Sequence, residues 1–313
     1  MLRFFPFGDR FEAGMGAKAL GTGEALIDLE LPHYRDEILL KRGLLERFPG
    51  EYYRGGPELM AAQWEVLGLV LADLAGHYPE HFAFERRGGA AFWHNKLLNE
   101  LLTFIYGDEA TVPLEPLDWV GRQVQEDLVL VSADAGAAFV GGQLCFPNGW
   151  DLPDRLGSSF MDVHARTPTT TMPSVHAGVR LLSGMKPGKT VWRTSWNFKL
   201  TAQLDLSTKH KPAYKADFAA RAPLLSAEAA GREVFVRVER QTFTRLRGSP
   251  YVLFGIHTYN SALADEAADP GRAGRMLGVI RGTPEDAKRY KAITPIDSAL
   301  TAFLEAASEG RLP

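Results

Sequence analysis

Residues 191–200 have the sequence Val-Trp-Arg-Thr-Ser-Trp-Asn-Phe-Lys-Leu, in which apolar and polar side chains largely alternate. Successive side chains of a β-strand point to opposite faces of its sheet. Trp192 and Trp196 would therefore lie on a buried face, while Arg193 and Lys199 would lie on a polar one. The stretch predicts a strand with two chemically different sides.

Similar alternation recurs later in the chain, at 233–243 and 251–259. Apolar residues then follow helical spacing at 272–280, 284–293 and 296–307. Two-faced strands followed by helices favour an antiparallel sheet over a repeating βαβ unit. The sequence therefore predicts an α+β fold in which helices surround an antiparallel sheet.

The first part of the chain has a more helical pattern. Apolar residues recur at intervals of three and four in 58–76 and 91–106, which predicts two helices. A short β-type run follows at 124–131. Further helices are predicted at 151–164, which begins with a capping Asp and an early Pro, and at 174–182, which begins with a capping Ser.

The length of 313 residues allows one large domain, and 45% hydrophobic with 23% charged residues is typical of a folded globular chain. We expect a single domain over 1–313. Within it, 1–120 would form a mainly helical entry segment and 121–313 a core built on the sheet.

The charge balance argues against polyanionic partners, because 35 Lys and Arg residues face 38 Asp and Glu residues. We therefore expect no binding to nucleic acid and no association with a membrane. The longest apolar stretch, 64–74, is interrupted by Glu65 and Asp73, and no export signal is recognisable. With Cys145 as its one cysteine, the chain cannot form an internal disulfide, which fits a cytoplasmic location.

His164 is the most informative histidine in the sequence. On the predicted helix it follows Leu156 and Phe160 along one apolar stripe, where an imidazole can hold a metal or a haem iron. The pattern is also typical of a buried histidine that bonds to backbone, so both interpretations stay open at this point.

Several short motifs occur in a fixed order along the chain. They are 144–150 (LCFPNGW), 156–157 (LG), 163–165 (VHA), 191–193 (VWR) with Trp196, 237–242 (RVERQT) and 253–259 (LFGIHTY). Together they resemble the haem-dependent oxidative N-demethylase family, over nearly the whole chain.

This resemblance implies a PAS-like sheet with helices that hold a b-type haem and its iron. It also implies an oxidoreductase activity, in which a monooxygenase reaction removes a methyl group from a small amine such as dimethylamine and releases formaldehyde. A non-catalytic haem-binding PAS-like sensor is the alternative, since a fold alone does not determine chemistry. A relative that has lost its haem is a third possibility.

The resemblance makes His164, inside the family-like VHA motif, the expected axial ligand of the iron. Cys145 is the rival ligand, and His257 is a candidate for a second histidine facing the haem. The chain departs from the family pattern at Ser195, where Asn is expected, and at His257, where Arg is expected. Both departures would affect the pocket and therefore the choice of amine.

The polar strand faces supply the other expected site residues. Glu239 is expected to accept the proton of the cationic amine or to hold the amine, although an exposed face with an Arg–Glu pair is the competing interpretation. The two propionate groups of a haem are anionic and need cationic hydrogen-bond donors. Trp196 is also expected to contact the cofactor. The candidate donors are Arg193, Lys199, Arg237 and Arg240. Regular alternation would place Arg240 on the other face of the strand from Glu239.

The expected small-molecule partners are the amine and O₂. The glycines and lysines of 183–190 resemble part of a phosphate-binding loop, but they precede a predicted strand instead of opening a helix. No flavin, nicotinamide or iron–sulfur motif is recognisable, so electrons would come from a separate reductase protein or subunit. An oligomer is also compatible with the sequence.

Overall fold

A computed structural model of the chain describes residues 1–14, 16–134, 136–165, 167–169 and 171–311. The strands are β1 Lys18–Ala19, β2 Tyr53–Arg54, β3 Phe82–Arg87, β4 Ala90–Asn95, β5 Glu100–Ile105, β6 Asp127–Ser132, β7 Phe139–Gln143, β8 Thr190–Lys199, β9 Phe235–Arg245 and β10 Tyr251–Ala262. The helices are α1 Leu31–Arg47, α2 Pro49–Tyr52, α3 Met60–His77, α4 Pro116–Gly121, α5 Phe160–Val163, α6 Met172–Gly184, α7 Lys211–Arg221, α8 Ala227–Glu233, α9 Leu263–Ala267, α10 Pro270–Gly282, α11 Glu285–Tyr290 and α12 Asp297–Ser308.

The larger sheet has the strand order β1-β8-β9-β10-β6-β7-β2, and all of its pairs are antiparallel. The strands predicted at 191–200, 233–243 and 251–259 correspond to β8, β9 and β10 at its centre. The smaller sheet has the order β3-β4-β5 and is also antiparallel. The predicted combination of helices with an antiparallel sheet is therefore confirmed.

Strand register separates the larger sheet into two faces. Ser195 lies opposite Glu239, and Asn197 lies opposite Arg237, so these residues share one side, here called the site face. Residues that alternate with them define the other side, here called the core face; they include Trp196, Val238, Arg240 and His257. The predicted separation of Arg240 from Arg237 and Glu239 is confirmed.

Both faces are covered, because the helices lie on either side of the sheet. On the site face, Phe160 and Val175 of the α5–α6 region pack against Phe243 and Phe254. On the core face, the N-terminal residues and the helices α8–α12 cover Val236 and Val238. The helices α1 and α3 and the smaller sheet cover the remainder of that side.

The helix predicted at 91–106 is wrong, because this segment forms β4, β5 and the turn between them. Leu97 and Leu98 lie in that turn, and Leu101 lies on the solvent side of β5 with 77% of its surface exposed. The helical spacing of the leucines was coincidental, since the small sheet buries Trp93 and Phe104 among other residues.

The continuous helix predicted at 151–164 is also wrong. The segment forms a 3₁₀ turn at Pro153–Arg155 and the short helix α5, separated by Gly157 with a φ of 75°. Leu156 instead forms a bridge to Phe139, so it leaves the expected stripe with Phe160 and His164. The next helix, α6, begins at Met172, two residues before the predicted Ser174 cap.

The helix α3 is confirmed near its predicted bounds. In the described part of the chain, the helical stretch 57–77 is long and apolar enough to cross a membrane, by length and composition alone. Its Val66, Leu67 and Val70 are fully buried in the same cluster as Trp93. We therefore interpret α3 as a core helix of this fold.

A fully buried lysine ties α1 to the sheet. Lys41 Nζ donates to the carbonyl oxygens of Gly121 (3.3 Å), Val124 (3.1 Å) and Glu126, and it lies 3.6 Å from the Asp127 carboxylate. The same carboxylate accepts hydrogen bonds of 2.8 Å from the backbone N–H groups of Cys145 and Phe146. One buried ion pair thus joins a helix, a strand and a loop.

Replacing Lys41 with Met removes one partner of this pair and leaves the Asp127 charge buried. We expect a loss of about 3–5 kcal/mol in the free energy of unfolding, measured by urea denaturation. Lys96 also donates to two backbone carbonyls but is exposed, so the control Lys96→Met is expected to lose less than about 1 kcal/mol. Equal losses in the two variants would contradict this role of Lys41.

Candidate functional site

His164 lies at the end of α5, a short helix with a complete capping box between Ser159 and Asp162. The imidazole stacks on the ring of Phe160, with 4.3 Å between ring centroids. Its Nδ1 lies 2.8 Å from the Phe160 carbonyl oxygen. Because a carbonyl only accepts hydrogen bonds, Nδ1 carries the proton and Nε2 keeps its lone pair. This is the arrangement in which a histidine binds a metal through Nε2.

The electrostatic surroundings keep this imidazole neutral. Burial lowers the pKa of His164, and the nearby guanidinium groups of Arg193 and Arg155 lower it further, against the opposing hydrogen bond to Phe160. A neutral imidazole retains the lone pair that an iron ligand requires.

Glu239 is the carboxylate of this part of the site face. Its side chain is 13% exposed, its Oε2 accepts a 2.8 Å hydrogen bond from Gln241, and its Oε1 lies 4.0 Å from Arg237 Nε. Arg193 and Lys199 are near enough to interact with its charge. Of the predicted residues, Arg193, Lys199 and Arg237 therefore interact with the charge of Glu239, and Arg193 also interacts with His164.

Arg237 shares this face, but other groups occupy most of its donors. Its Nη atoms donate to the carbonyl oxygens of Phe146 (2.8 Å), Pro147 (3.2 Å), Gln203 (3.1 Å) and Leu204 (3.1 Å). The guanidinium thus holds the loops at 146–147 and 203–204 against the centre of the sheet through hydrogen bonds.

Arg240, Trp196 and His257 are not brought to the face of Glu239, because strand alternation turns them to the core face. Arg240 donates to the carbonyls of Leu26 (2.7 Å) and Ala25 (2.6 Å). Trp196 packs in the cluster of the N-terminal aromatic residues. Neither placement supports the expected contact with a cofactor on the site face.

His257 lies in a buried network of its own. Its Nδ1 is 3.2 Å from the Glu126 carboxylate, and its ring stacks on Tyr259 at 4.2 Å. Burial by itself would lower the pKa of His257, but the charge of Glu126 outweighs it and raises the pKa. The histidine is thereby committed to an internal ion pair on the core face.

The side chain of Cys145 is completely buried. Burial raises the pKa of its thiol well above the ordinary value, and the nearby Asp127 adds to the effect. A protonated thiol is a poor iron ligand. The structure therefore favours the interpretation of Cys145 as part of the core.

Lys291 contacts Trp196, which belongs to the core face, and its charge interacts with those of Arg193 and Glu239. At the end of α11 its Nζ donates to the Trp196 carbonyl (2.8 Å) and lies 4.1 Å from the centre of the Trp196 ring. Removal from water, followed by the charge of Arg193, lowers its pKa to about 7.

The described residues contain no group of three or more His, Cys, Asp or Glu side chains placed to hold a metal ion directly. A haem iron needs only one or two protein ligands, so His164 is compatible with it. A cleft of about 330 Å³ is lined by Thr169, Met172, Pro173, His176 and Arg180 and does not include His164 or Glu239.

Comparison with protein families identifies one match. The model of a family described as haem-dependent oxidative N-demethylase, alpha subunit-like, matches residues 18–301. The matched region extends from β1 into α12 and includes both faces of the larger sheet. It therefore covers His164, Glu239 and Lys291.

The His257–Glu126 pair makes a testable contribution to stability. Because the folded-state pKa of His257 is raised, its stabilisation is complete below the unfolded value of about 6.5 and is lost as pH rises through the folded value. We expect His257→Gln to lower the free energy of unfolding by about 1.5–3 kcal/mol at pH 6, with a smaller loss at pH 9.

Urea denaturation at the two pH values measures this difference. The control His176→Gln changes an exposed histidine and is expected to have little effect at either pH. A loss of stability in His257→Gln that does not depend on pH would show that the pair is not charged in the folded protein.

Proposed function

Because the chain belongs to the haem-dependent oxidative N-demethylase, alpha-subunit-like family, we propose that it is a haem-dependent monooxygenase that demethylates a small, dimethylamine-like amine. The observation that supports the proposal is that the charge of Arg193 acts on His164, whose pKa it helps to lower, and also interacts with the carboxylate Glu239. One group can bind iron and the other can bind a cationic amine.

The residues present fit a b-type haem. His164 would bind the iron through Nε2, because the Phe160 carbonyl holds its Nδ1 proton. Apolar side chains between α5–α6 and the sheet would contact the porphyrin. Arg193 has a buried Nε without a hydrogen-bond partner among the described residues, which suits it to a propionate. When bound, the haem would supply the activation of O₂.

The PAS-like assignment is part of the proposal. It is supported by a hairpin, β6–β7, followed by the consecutive strands β8–β10, with β10 returning to pair with β6. The α5–α6 region that carries His164 connects these two parts of the sheet.

The protein residues would handle the charge of the substrate. A small amine with a pKa of about 10 is protonated at neutral pH, and its nitrogen must lose that proton before the adjacent carbon is oxidised easily. Glu239 Oε1 would accept the proton, while Gln241 holds Oε2. The methyl carbon would leave with one oxygen atom as formaldehyde, and the other oxygen atom would leave as water.

Electrons would come from a separate reductase protein or subunit. The words "alpha subunit" in the family description support the presence of partner subunits.

We also propose a cytoplasmic location, on the basis of the cysteine content. The alternative function is a non-catalytic haem-binding sensor, because a shared fold does not determine the chemistry.

Replacement of His164 with Ala tests the haem ligand. We expect the variant to lose the native Soret band or to show a weakly ligated form, because the imidazole that supplies the Nε2 lone pair is removed. Absorption spectroscopy after haem supplementation measures the effect. His176→Ala, at an exposed position of α6, is the control and is expected to keep the spectrum. An unchanged spectrum in His164→Ala would direct the search to His257 and Cys145.

Replacement of Glu239 with Gln tests the proton acceptor. The change preserves shape and removes the charge, so we expect normal haem binding and a fall of roughly 10²-fold or more in formaldehyde release with a saturating reductant. Glu228→Gln, on the exposed side of α8, is the control. Near-normal turnover in a haem-replete Glu239→Gln protein would favour the competing view, in which Glu239 forms a minor ion pair.

A further inference from the structure

The two carboxylate oxygens of Glu239 have different surroundings. Oε2 accepts a hydrogen bond of 2.8 Å from Gln241 Nε2. Oε1 lies 4.0 Å from Arg237 Nε, which is beyond hydrogen-bond distance. Among the described residues no hydrogen bond reaches Oε1, and this atom is not buried. The protein therefore holds one oxygen of the carboxylate and leaves the other open to solvent.

The strand geometry explains why Gln241 reaches Glu239. The two residues are separated by one position along β9, so both side chains lie on the site face. Gln241 lies opposite Arg193 of β8 and Glu239 lies opposite Ser195, so strand pairing fixes the backbone of both residues. Because an ionised carboxylate only accepts hydrogen bonds, the amide nitrogen of Gln241 is the donor.

Arg237 supplies positive charge to Glu239 without occupying Oε1. Its Nη atoms donate to four backbone carbonyls, among them those of Phe146 (2.8 Å) and Gln203 (3.1 Å). The guanidinium cannot move closer to the carboxylate without breaking these hydrogen bonds. The charge of Glu239 is thus partly compensated, while Oε1 keeps its capacity to accept a hydrogen bond.

We propose that Gln241 is a positioning residue, which holds Oε2 of Glu239 and thereby presents Oε1 to a cationic amine. The inference rests on the proposed function, in which the ligand of Glu239 is an alkylammonium ion. It also specifies the ligand further. Because Oε1 is a hydrogen-bond acceptor on a fixed side chain, the ammonium ion must carry at least one N–H donor. A quaternary ammonium ion would offer only its charge.

A double-mutant cycle of Gln241→Met and Glu239→Gln tests this role. Methionine keeps about the length of the glutamine side chain and removes the donor. The affinity for dimethylammonium is taken from the dependence of the melting temperature on its concentration, which requires no turnover. We expect Gln241→Met to weaken binding about ten-fold, and to have no further effect when Glu239→Gln is already present.

Gln203→Met is the matched control. Gln203 is exposed, and its backbone carbonyl rather than its side chain contacts Arg237, so we expect unchanged binding of dimethylammonium. If Gln241→Met does not fold, Gln241→Asn replaces it. This variant keeps the amide on a side chain one methylene shorter and is expected to weaken binding in the same direction.

A second measurement, on the wild-type protein, tests the need for an N–H donor. Trimethylammonium and tetramethylammonium have the same charge and differ by one methyl group, and only the first has an N–H group. We expect trimethylammonium to bind about ten-fold tighter. Similar affinities of the two ions would contradict the role of Oε1 as the acceptor.

Three results of the cycle would overturn the proposal. They are no binding of dimethylammonium to the wild-type protein, equal affinities of wild type and Gln241→Met, and effects of the two changes that simply add. Additive effects would show that Gln241 acts on the fold and not through Glu239. The absence of a Soret band after haem supplementation would instead contradict the proposed function. Amine binding is measured before and after that supplementation, so it decides the role of Gln241 in either case.

Discussion

The pairing register of β8, β9 and β10 is the constraint on which the site depends. Side chains alternate along each strand, so a slip of one residue would move Glu239 and Arg237 to the core face and Val238 and Arg240 to the site face. Both faces are covered, and each has polar groups with specific partners there. The register is therefore held from both sides, by apolar packing and by buried hydrogen bonds.

Charged side chains serve two different purposes in this sheet. Lys41, Arg237 and Arg240 are buried and donate to backbone carbonyls, which joins loops and helices to the strands. These carbonyls occupy several of their donors, although the Nε atoms of Arg237 and Arg240 have no hydrogen-bond partner among the described residues. The buried Nε of Arg193 also lacks such a partner, and the charge of Arg193 acts on Lys291. An unpaired donor by itself therefore does not distinguish the candidate ligand-binding residues.

The candidate site is assembled from segments that are distant in the chain. His164 comes from the α5–α6 connection and Glu239 from the centre of the sheet. Only the sheet positions are held by a continuous network of strand pairs. This division agrees with a site in which a stable polar wall faces a covering segment that carries the metal ligand, as the proposed function requires.

The sequence by itself determined the central strands and the difference between their two faces. It also determined that Arg240 and Glu239 lie on different faces of the sheet, because alternation is a local property of the backbone. The family-like motifs also directed attention to His164 before the structure was known. Local pattern failed at 91–106, where the leucine spacing matched a helix although a turn and two strands bury Trp93 and Phe104. Only the tertiary structure decided which arginines are occupied by carbonyls and that Lys291 reaches β8, because those contacts join residues far apart in the chain.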